Sequence, residues 1–124
     1  MSSTLQLIVD CIKNSDIELI GNKYIIEEMQ KYQDLFASPS ASILLSLLIF
    51  KTKVIEVDDT NILKCKLYFP AVELFDILHA ATALQEDAII ITNDKHFDSI
   101  KEQKLIRVWS ISEAIFLLPR SPQK

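Results

Sequence analysis

Three acidic side chains occupy positions from which they can meet at one edge of a sheet. Asp94 follows the apolar run of residues 88–92, Asp76 lies near the start of a predicted helix, and Glu28 lies in the helix after residues 17–21. Ligands of open parallel sheets bind beyond the carboxyl ends of the strands, so these regions are expected to converge. Converging carboxylates suit Mg²⁺ or Mn²⁺, hard cations that prefer oxygen ligands and activate water for attack on a phosphodiester. The pattern indicates hydrolysis of a nucleic-acid backbone.

Helical periodicity distinguishes among the acids. Glu28 borders the apolar stripe of its helix, whereas Glu27 points nearly opposite to it. In the helix of residues 72–86, Asp76 shares one face with His79 and Ala83, while the opposite face carries Leu74, Ile77, Leu78, Ala81 and Leu84. Glu28 and Asp76 are therefore the acids of these helices that we expect at the site.

Each candidate also fits a purely structural role. Asp76 and His79 fit the solvated side of an amphipathic helix, together with Glu73. Asp94 fits an ordinary turn, because Asn-Asp after a strand is common turn chemistry. The two remaining acids fit surface positions, Asp98 as a cap and Glu28 as a salt-bridge partner.

Composition restricts the class of protein. The chain has 124 residues, 49% hydrophobic and 24% charged, with a formal net charge of -4. These values favour one compact domain and argue against coating nucleic acid through bulk charge. Cys11 and Cys65 lack the spacing of a zinc site or of a disulfide scaffold. No signal-peptide pattern or run of roughly 20 apolar residues occurs, so we expect a cytoplasmic protein.

Strands and helices alternate along the chain. The predicted strands are residues 17–21, 53–57, 88–92 and 105–109, and the last two are expected to pair. Predicted helices cover residues 4–14, 23–36, 39–50, 61–68, 72–86 and a segment between Ser110 and Pro119. This order predicts an α/β fold, a three-layer α/β/α sandwich with a parallel sheet and right-handed crossovers. Residues 1–118 are expected to form a single domain, and residues 119–124 a frayed tail.

Two long segments resemble one nuclease family. Residues 75–84 (FDILHAATAL), 88–97 (AIIITNDKHF) and 106–108 (IRV) resemble the C-terminal half of PIN-domain ribonucleases. Residues 17–29 are similar to the second strand and following helix of that family, which usually carries an acidic residue. The resemblance covers nearly the whole chain, from Thr4 to Leu118, and implies a PIN-like fold.

The resemblance also implies site residues and partners. Glu28, Asp76 and Asp94 correspond to metal-coordinating acids, Asp98 to a possible accessory metal ligand, and Thr92 to a polar residue lining the site. His96 stands where the family often has another acid, which weakens a second metal position or substitutes a neutral ligand. Such proteins typically cleave single-stranded RNA with Mg²⁺ or Mn²⁺, often form homodimers, and many are toxins paired with an antitoxin protein.

The start of the chain departs from the family. A PIN-like chain opens with a strand ending in Asp, whereas this chain begins inside what resembles the following helix, so the resemblance leads us to expect an N-terminally truncated PIN-like fold. Either the true start lies upstream or the strand has been lost. Asp10 cannot easily replace the missing acid, because only residues 11–16 would remain for a crossover that needs a dozen or more. The missing strand predicts a gap in the sheet, filled by neighbouring strands or a partner, and the apolar helix of residues 43–50 could support a dimer.

Residues 57–63 (VDDTNIL) lie in mid-chain but resemble the segment at the end of the first strand of the family, which often reads Asp-Thr-Asn. In the family order they lie between the third strand and the helix of Asp76, where a helix start is needed and no catalytic acid is expected. We interpret Asp59 or Thr60 as an N-cap, with circular permutation as the alternative.

Three functions are consistent with these observations. The first is a metal-dependent ribonuclease in which Lys95, His96 or Lys101 help to hold phosphate. The second is a catalytically inactive PIN-like module that binds a protein or RNA partner, which the missing acid favours. The third is a small phosphoryl-transfer or signalling domain without affinity for RNA. Metal-dependent RNA cleavage would indicate the first function, and binding of RNA or protein without cleavage would indicate the second. Neither cleavage nor such binding would indicate the third.

Overall fold

The computed structural model describes residues 2–35 and 38–118. The helices in these residues are α1 (Ser3–Lys13), α2 (Lys23–Leu35), α3 (Pro39–Lys51), α4 (Asp59–Lys66), α5 (Leu74–Glu86), α6 (Asp98–Glu102) and α7 (Ile111–Leu117), with a 3₁₀ turn at Lys95–Phe97. The strands are β1 (Ile20–Gly21), β2 (Lys53–Val54), β3 (Ile89–Ile91) and β4 (Arg107–Trp109). Phe36, predicted on the apolar stripe of α2, and the predicted frayed tail, residues 119–124, lie outside the described residues. No helix in the described part of the chain is long and apolar enough to cross a membrane.

The predicted caps place most helix starts correctly. Ser38 caps α3 and Pro39 takes the first helical position, where its missing N–H is not needed. At α7, the Ser110 hydroxyl accepts from the Glu113 N–H while the Glu113 carboxylate accepts from the Ser110 N–H. This reciprocal pair is the capping box that the spacing predicts. The hydrogen bond from the Ser110 backbone lowers the pKa of Glu113, and a hydrogen bond from Lys101 lowers it further.

The VDDTNIL segment is a helix start, as predicted, but its cap is one residue earlier. Asp58 is extended, and its Oδ1 accepts a 2.9 Å bond from the Asn61 N–H. The prediction of Asp59 or Thr60 is therefore wrong, because both already lie in the first turn of α4. Asp58 is the N-cap because its carboxylate lies three residues before a helix N–H that has no acceptor within the helix.

The strands form two separate parallel pairs. β1 pairs with β2 and β3 pairs with β4, and the second pairing confirms the sequence prediction. Each strand is shorter than predicted, and in the described residues the two pairs are not hydrogen-bonded to each other. The fold is thus mixed α/β and rich in helix, with short parallel strands in place of one continuous sheet. The three-layer sandwich stays a prediction.

Apolar side chains form two buried clusters. The larger lies among α4, α5, β4 and α6 and includes Cys65, Ile77, Phe97 and Ile100. The smaller joins α1 to α7 through Leu7, Cys11 and Ala114. Both cysteines are free and buried, and burial raises the pKa of Cys65 to about 11, so neither is a candidate nucleophile.

The only glycine of the chain occupies a position with no room for a side chain. A Cβ added at Gly21 would lie 2.7 Å from Ile25 Cγ2 and 3.0 Å from Thr52 Cγ2. Both neighbours are β-branched and stiff, so they move little. Gly21 therefore allows β1 to approach α2 and the end of α3 closely.

Replacing Gly21 with Ala is expected to lower the free energy of unfolding by about 1–3 kcal/mol, because the added methyl overpacks this contact. The measurement is urea unfolding followed by circular dichroism. Ser99→Ala, on the exposed side of α6, is the control and should change the midpoint little. An unchanged midpoint for Gly21→Ala would show that the contact is loosely packed.

Candidate metal centre

Two acids and a histidine come together where α5 begins. One ligand atom from each of Glu73, Asp76 and His96 lies within 4.8 Å of the others. His96 Nδ1 is 3.0 Å from Asp76 Oδ2 and 3.6 Å from Glu73 Oε2. Glu73 and Asp76 are one helical turn apart, and β3 leads the chain back to His96. The cluster therefore combines two segments that are 20 residues apart.

Asp94 joins the cluster through a tight turn after β3. Its Oδ1 accepts the His96 backbone N–H at 2.9 Å and lies 3.5 Å from His96 Nδ1. Its own N–H donates to Thr92 Oγ1 at 3.0 Å. Asp94 thus has the turn role that the sequence predicts, with Thr92 orienting the turn, while its role as a metal ligand stays a prediction.

His96 is surrounded by negative charge. Hydrogen bonding to Asp76, followed by the charges of Asp94 and Glu73, raises the pKa of His96. An imidazolium at this point neutralises carboxylates that would otherwise repel one another. Its ring occupies the place where the carboxylates converge.

The cluster lies at the mouth of a large cleft between α2, α5 and β3. The cleft has a volume of about 1140 Å³. Its lining includes the predicted site residues Glu28, Asp76, Thr92, Asp94 and His96. Four of these residues belong to the turn after β3 or to α5, and Glu28 approaches from α2.

Asn22 holds α2 against α5 within this cleft. Its side chain is buried, with Oδ1 accepting from the Tyr24 and Ile25 N–H groups as the predicted cap of α2. Its Nδ2 donates to Thr82 Oγ1 at 2.9 Å and lies 3.3 Å from His79 Nδ1. Because this link fixes the start of α2, it also fixes where Glu28, six residues further on, faces the cleft.

His79 connects Glu28 electrostatically to the cluster. Burial lowers the pKa of His79, while the charges of Glu28 and Asp76 oppose that shift. A neutral ring can accept from Asn22 Nδ2 at Nδ1, which places its proton on Nε2. Glu28 itself is exposed and stands outside the three-residue cluster.

Three other predicted site residues lie away from the cluster. Lys95 and Asp98 are exposed, Lys95 in the 3₁₀ turn and Asp98 in the first turn of α6, and neither lines the cleft. Lys101 is bonded at 3.0 Å to Glu113 of the capping box, which gives it a structural role. Phosphate binding by Lys95 and metal binding by Asp98 stay predictions.

Sequence reasoning missed Glu73 and an aromatic pair. Glu73 was assigned to a solvated helix face, although its spacing of three residues from Asp76 is a usable signal for two ligands on one helical turn. Tyr24 and Phe75 both line the cleft, with ring centroids 5.7 Å apart. No pattern in the sequence joins these two rings, which are 51 positions apart.

A family model described as PIN domain matches residues 34–103, more than half of the chain. The chain belongs to the PIN domain family. The match includes α5, β3 and the turn after β3, and so it includes Glu73, Asp76, Asp94 and His96. Glu28 and Asn22 lie before it. Searches of curated proteins and of solved structures give no significant match.

Membership of the PIN domain family indicates nuclease-type chemistry, and PIN domains generally depend on divalent metals and commonly bind RNA. The cluster fits such an ion in its donor chemistry. Carboxylate oxygens of Glu73 and Asp76 suit Mg²⁺ or Mn²⁺, and the imidazole of His96 suits Mn²⁺ better than Mg²⁺. The spacing of these atoms, within 4.8 Å of one another, allows them to face one ion.

Asn22→Ala is expected to lower the free energy of unfolding by about 1–3 kcal/mol, because it leaves two helix N–H groups without a cap and removes the bond to buried Thr82. Chemical unfolding measures this loss of free energy of unfolding. The matched control is Asn61→Ala, since the Asn61 side chain donates to Asp58 at an exposed helix start. Equal losses for the two variants would contradict a special role for the Asn22 link.

Proposed function

We propose that this chain is a metal-dependent ribonuclease that hydrolyses phosphodiesters of single-stranded RNA. The cluster of Glu73, Asp76 and His96 in a large open cleft of a PIN domain chain is the observation that carries the proposal. Asp94 adds a fourth donor 3.5 Å from His96. A bound divalent cation lowers the pKa of its water and neutralises charge on the phosphate.

The residues of the chain prepare this chemistry in three ways. Glu73, Asp76 and Asp94 supply oxygen donors, and Asn22 positions α2 so that Glu28 adds negative charge to the same mouth. Carboxylates repel RNA phosphate when no cation is bound, so substrate affinity depends on the metal. His96 compensates for part of that charge in the metal-free chain.

The aromatic pair supports a single-stranded substrate. Phe75 is 57% exposed beside Asp76, and Tyr24 meets it in an edge-on contact. Lys23 Nζ lies 5.1 Å from the Tyr24 ring centroid, which places a cation next to the pair. Unpaired bases stack on exposed aromatic rings, whereas bases inside a duplex are not available. Phe75 would hold a base while the adjacent phosphate lies at the cluster.

Two predicted partners stay at the level of proposal. The side chains exposed on α3, Ile43, Leu47 and Phe50, support a homodimer, because apolar surface of this kind favours association. A toxin role with an antitoxin partner stays a prediction from the family resemblance.

Asp94→Asn and Asp76→Asn are each expected to reduce Mn²⁺-dependent cleavage of a mixed-sequence single-stranded RNA by at least about 100-fold, since even partners outside the ligand shell typically cost 10–100-fold. Asparagine keeps an oxygen that can accept the His96 N–H, so the Asp94 variant should remain folded. EDTA should abolish cleavage by the unaltered chain.

Asp59→Asn is the matched control for these variants, because Asp59 lies in the first turn of α4 and does not line the cleft. It should cleave RNA like the unaltered chain. Cleavage that survives in Asp94→Asn and Asp76→Asn would refute the assignment. RNA binding without cleavage by any chain would favour the catalytically inactive module.

Phe75→Ala is expected to weaken binding of a short single-stranded RNA about 5- to 100-fold, because one stacked base contributes about 1–3 kcal/mol. Fluorescence anisotropy in the Asp94→Asn background, with Mn²⁺ present, measures affinity without turnover. Phe116→Ala removes an equally large exposed ring, 87% exposed on α7, and should leave affinity unchanged. Equal effects would assign the loss to general surface hydrophobicity.

A further inference from the structure

His79 borders the cleft on α5, close to two acids. Its ring is half-buried, and Glu28 and Asp76 line the same cleft. The charges of both acids act on the ring, since they oppose the lowering of its pKa by burial. In the described residues, the group that could hold a metal ion does not include His79. His79 is therefore a polar side chain of the cleft to which the chemistry proposed above gives no part.

The hydrogen bonds of Asn22 determine which nitrogen of His79 carries the proton. Asn22 Oδ1 accepts from the Tyr24 and Ile25 N–H groups at 3.0 and 3.1 Å, so the other end of the amide is its NH₂ group. That group donates to Thr82 Oγ1 at 2.9 Å and lies 3.3 Å from His79 Nδ1. A donor at this position needs an acceptor. Nδ1 therefore holds a lone pair, and Nε2 holds the proton.

This tautomer makes His79 a hydrogen-bond donor and a poor metal ligand. A metal at Nε2 needs the lone pair there, and moving the proton to Nδ1 would set two N–H groups against each other at Asn22. Burial lowers the pKa of His79 and so favours the neutral ring. In the part of the chain that the structure describes, Nε2 has no hydrogen-bond partner. Its N–H points away from Asn22 and is available to a ligand in the cleft.

The position of His79 on α5 matches the sugar of a bound nucleotide. Residues three and four apart on a helix lie side by side, so His79 is next to Asp76 of the metal cluster and next to Phe75. In the proposed function, a base stacks on Phe75 while the adjacent phosphate lies at the cluster. The ribose joins that base to that phosphate. It therefore lies beside His79.

We infer that His79 recognises RNA through its sugar: the Nε2–H donates a hydrogen bond to the 2′-hydroxyl of the nucleotide whose base stacks on Phe75. The inference rests on the proposed function for the place of that nucleotide. A neutral donor in one cleft with the Glu28 carboxylate suits a hydroxyl, which accepts from one partner and donates to another. Because the 2′-hydroxyl distinguishes RNA from DNA, His79 determines the preference for RNA, and Asn22 is its positioning residue.

The test compares two oligonucleotides that differ only at the 2′ position. One is a short mixed-sequence single-stranded RNA, and the other has the same bases with fluorine in place of every 2′-hydroxyl, which keeps the shape of the ribose ring. Fluorescence anisotropy in the Asp94→Asn background, with Mn²⁺ present, measures both affinities while cleavage is suppressed. The RNA is expected to bind about 2- to 12-fold more tightly, which is the effect of one hydrogen bond.

Two substitutions separate this hydrogen bond from a structural role of His79. His79→Leu and His79→Gln both remove the ring that meets Asn22, but only glutamine keeps an N–H donor near the position of Nε2. The leucine variant is expected to bind the two oligonucleotides equally, whereas the glutamine variant should keep at least about a twofold preference for RNA. Circular dichroism establishes that each variant is folded.

The tautomer of His79 can be measured directly by long-range ¹H–¹⁵N NMR. The chain has two histidines, so the signals that disappear in His79→Gln belong to His79. The unaltered chain at neutral pH is expected to show a protonated Nε2 and an unprotonated Nδ1. Asn22→Ala removes the donor that selects this form and should give a mixture of the two tautomers.

Three results would overturn the inference. These are equal affinity for the two oligonucleotides when His79 is present, an unchanged preference for RNA in a folded His79→Leu chain, and a proton on Nδ1 in the unaltered chain. If His79→Leu weakened binding of both oligonucleotides alike, His79 would contact the base or the phosphate, which also contradicts the inference.

Failure of the proposed function is a separate result. Without Mn²⁺-dependent cleavage of RNA by the unaltered chain, the ribonuclease assignment fails, yet a preference for RNA that depends on His79 would still establish the contact with the 2′-hydroxyl. Cleavage without that preference would overturn the role of His79 alone. No binding of RNA by any chain would overturn both.

Discussion

The arrangement of the site depends on the buried amide of Asn22. The two pairs of strands share no hydrogen bonds in the described residues, so the unit of β1 and α2 is held to α5 by packing and by this side chain. One oxygen caps α2 and one nitrogen reaches Thr82, whose hydroxyl in turn donates to the Leu78 carbonyl. A buried amide that satisfies both of its ends fixes one geometry, because any other leaves a polar group unpaired.

Electrostatic repulsion at the cleft mouth is a consequence of that geometry. Four acids from three segments approach one region, and like charges at short range are unfavourable unless a cation lies between them. His96 partly meets this need because its raised pKa favours the imidazolium. A histidine in place of another carboxylate thus makes the metal-free site less repulsive. The helix start at Glu73 and Asp76 helps too, since helix N-termini favour negative charge.

The apolar packing explains why the fold tolerates a divided sheet. The largest cluster lies between α5 and the elements after it, on the side of β3 and β4, and needs nothing from β1. α1 is anchored separately, through Leu7 and Cys11 against Ala114 of α7. Residues of β1 and β3 line the cleft.

Local sequence determined the helices and most of their caps, and it suggested part of the candidate site. Capping at Ser38 and Ser110 depends on side chains within three residues of the helix start, so spacing alone predicts it. Asp76 and Asp94 could be chosen because strand ends and helix faces follow simple periods, and the family resemblance at residues 75–97 strengthened that choice.

Only the tertiary structure decided which side chains meet. Glu73 joins Asp76 and His96, and Tyr24 meets Phe75, through contacts between segments that no local period relates. The bond between Asn22 and Thr82 spans 60 positions, and its existence depends on how β1 packs against α5. The lengths of the strands were also overestimated. A strand ends where its pairing with a neighbouring strand ends, and the fold decides which strands are neighbours. Residue types thus supplied the chemistry, while packing selected the partners.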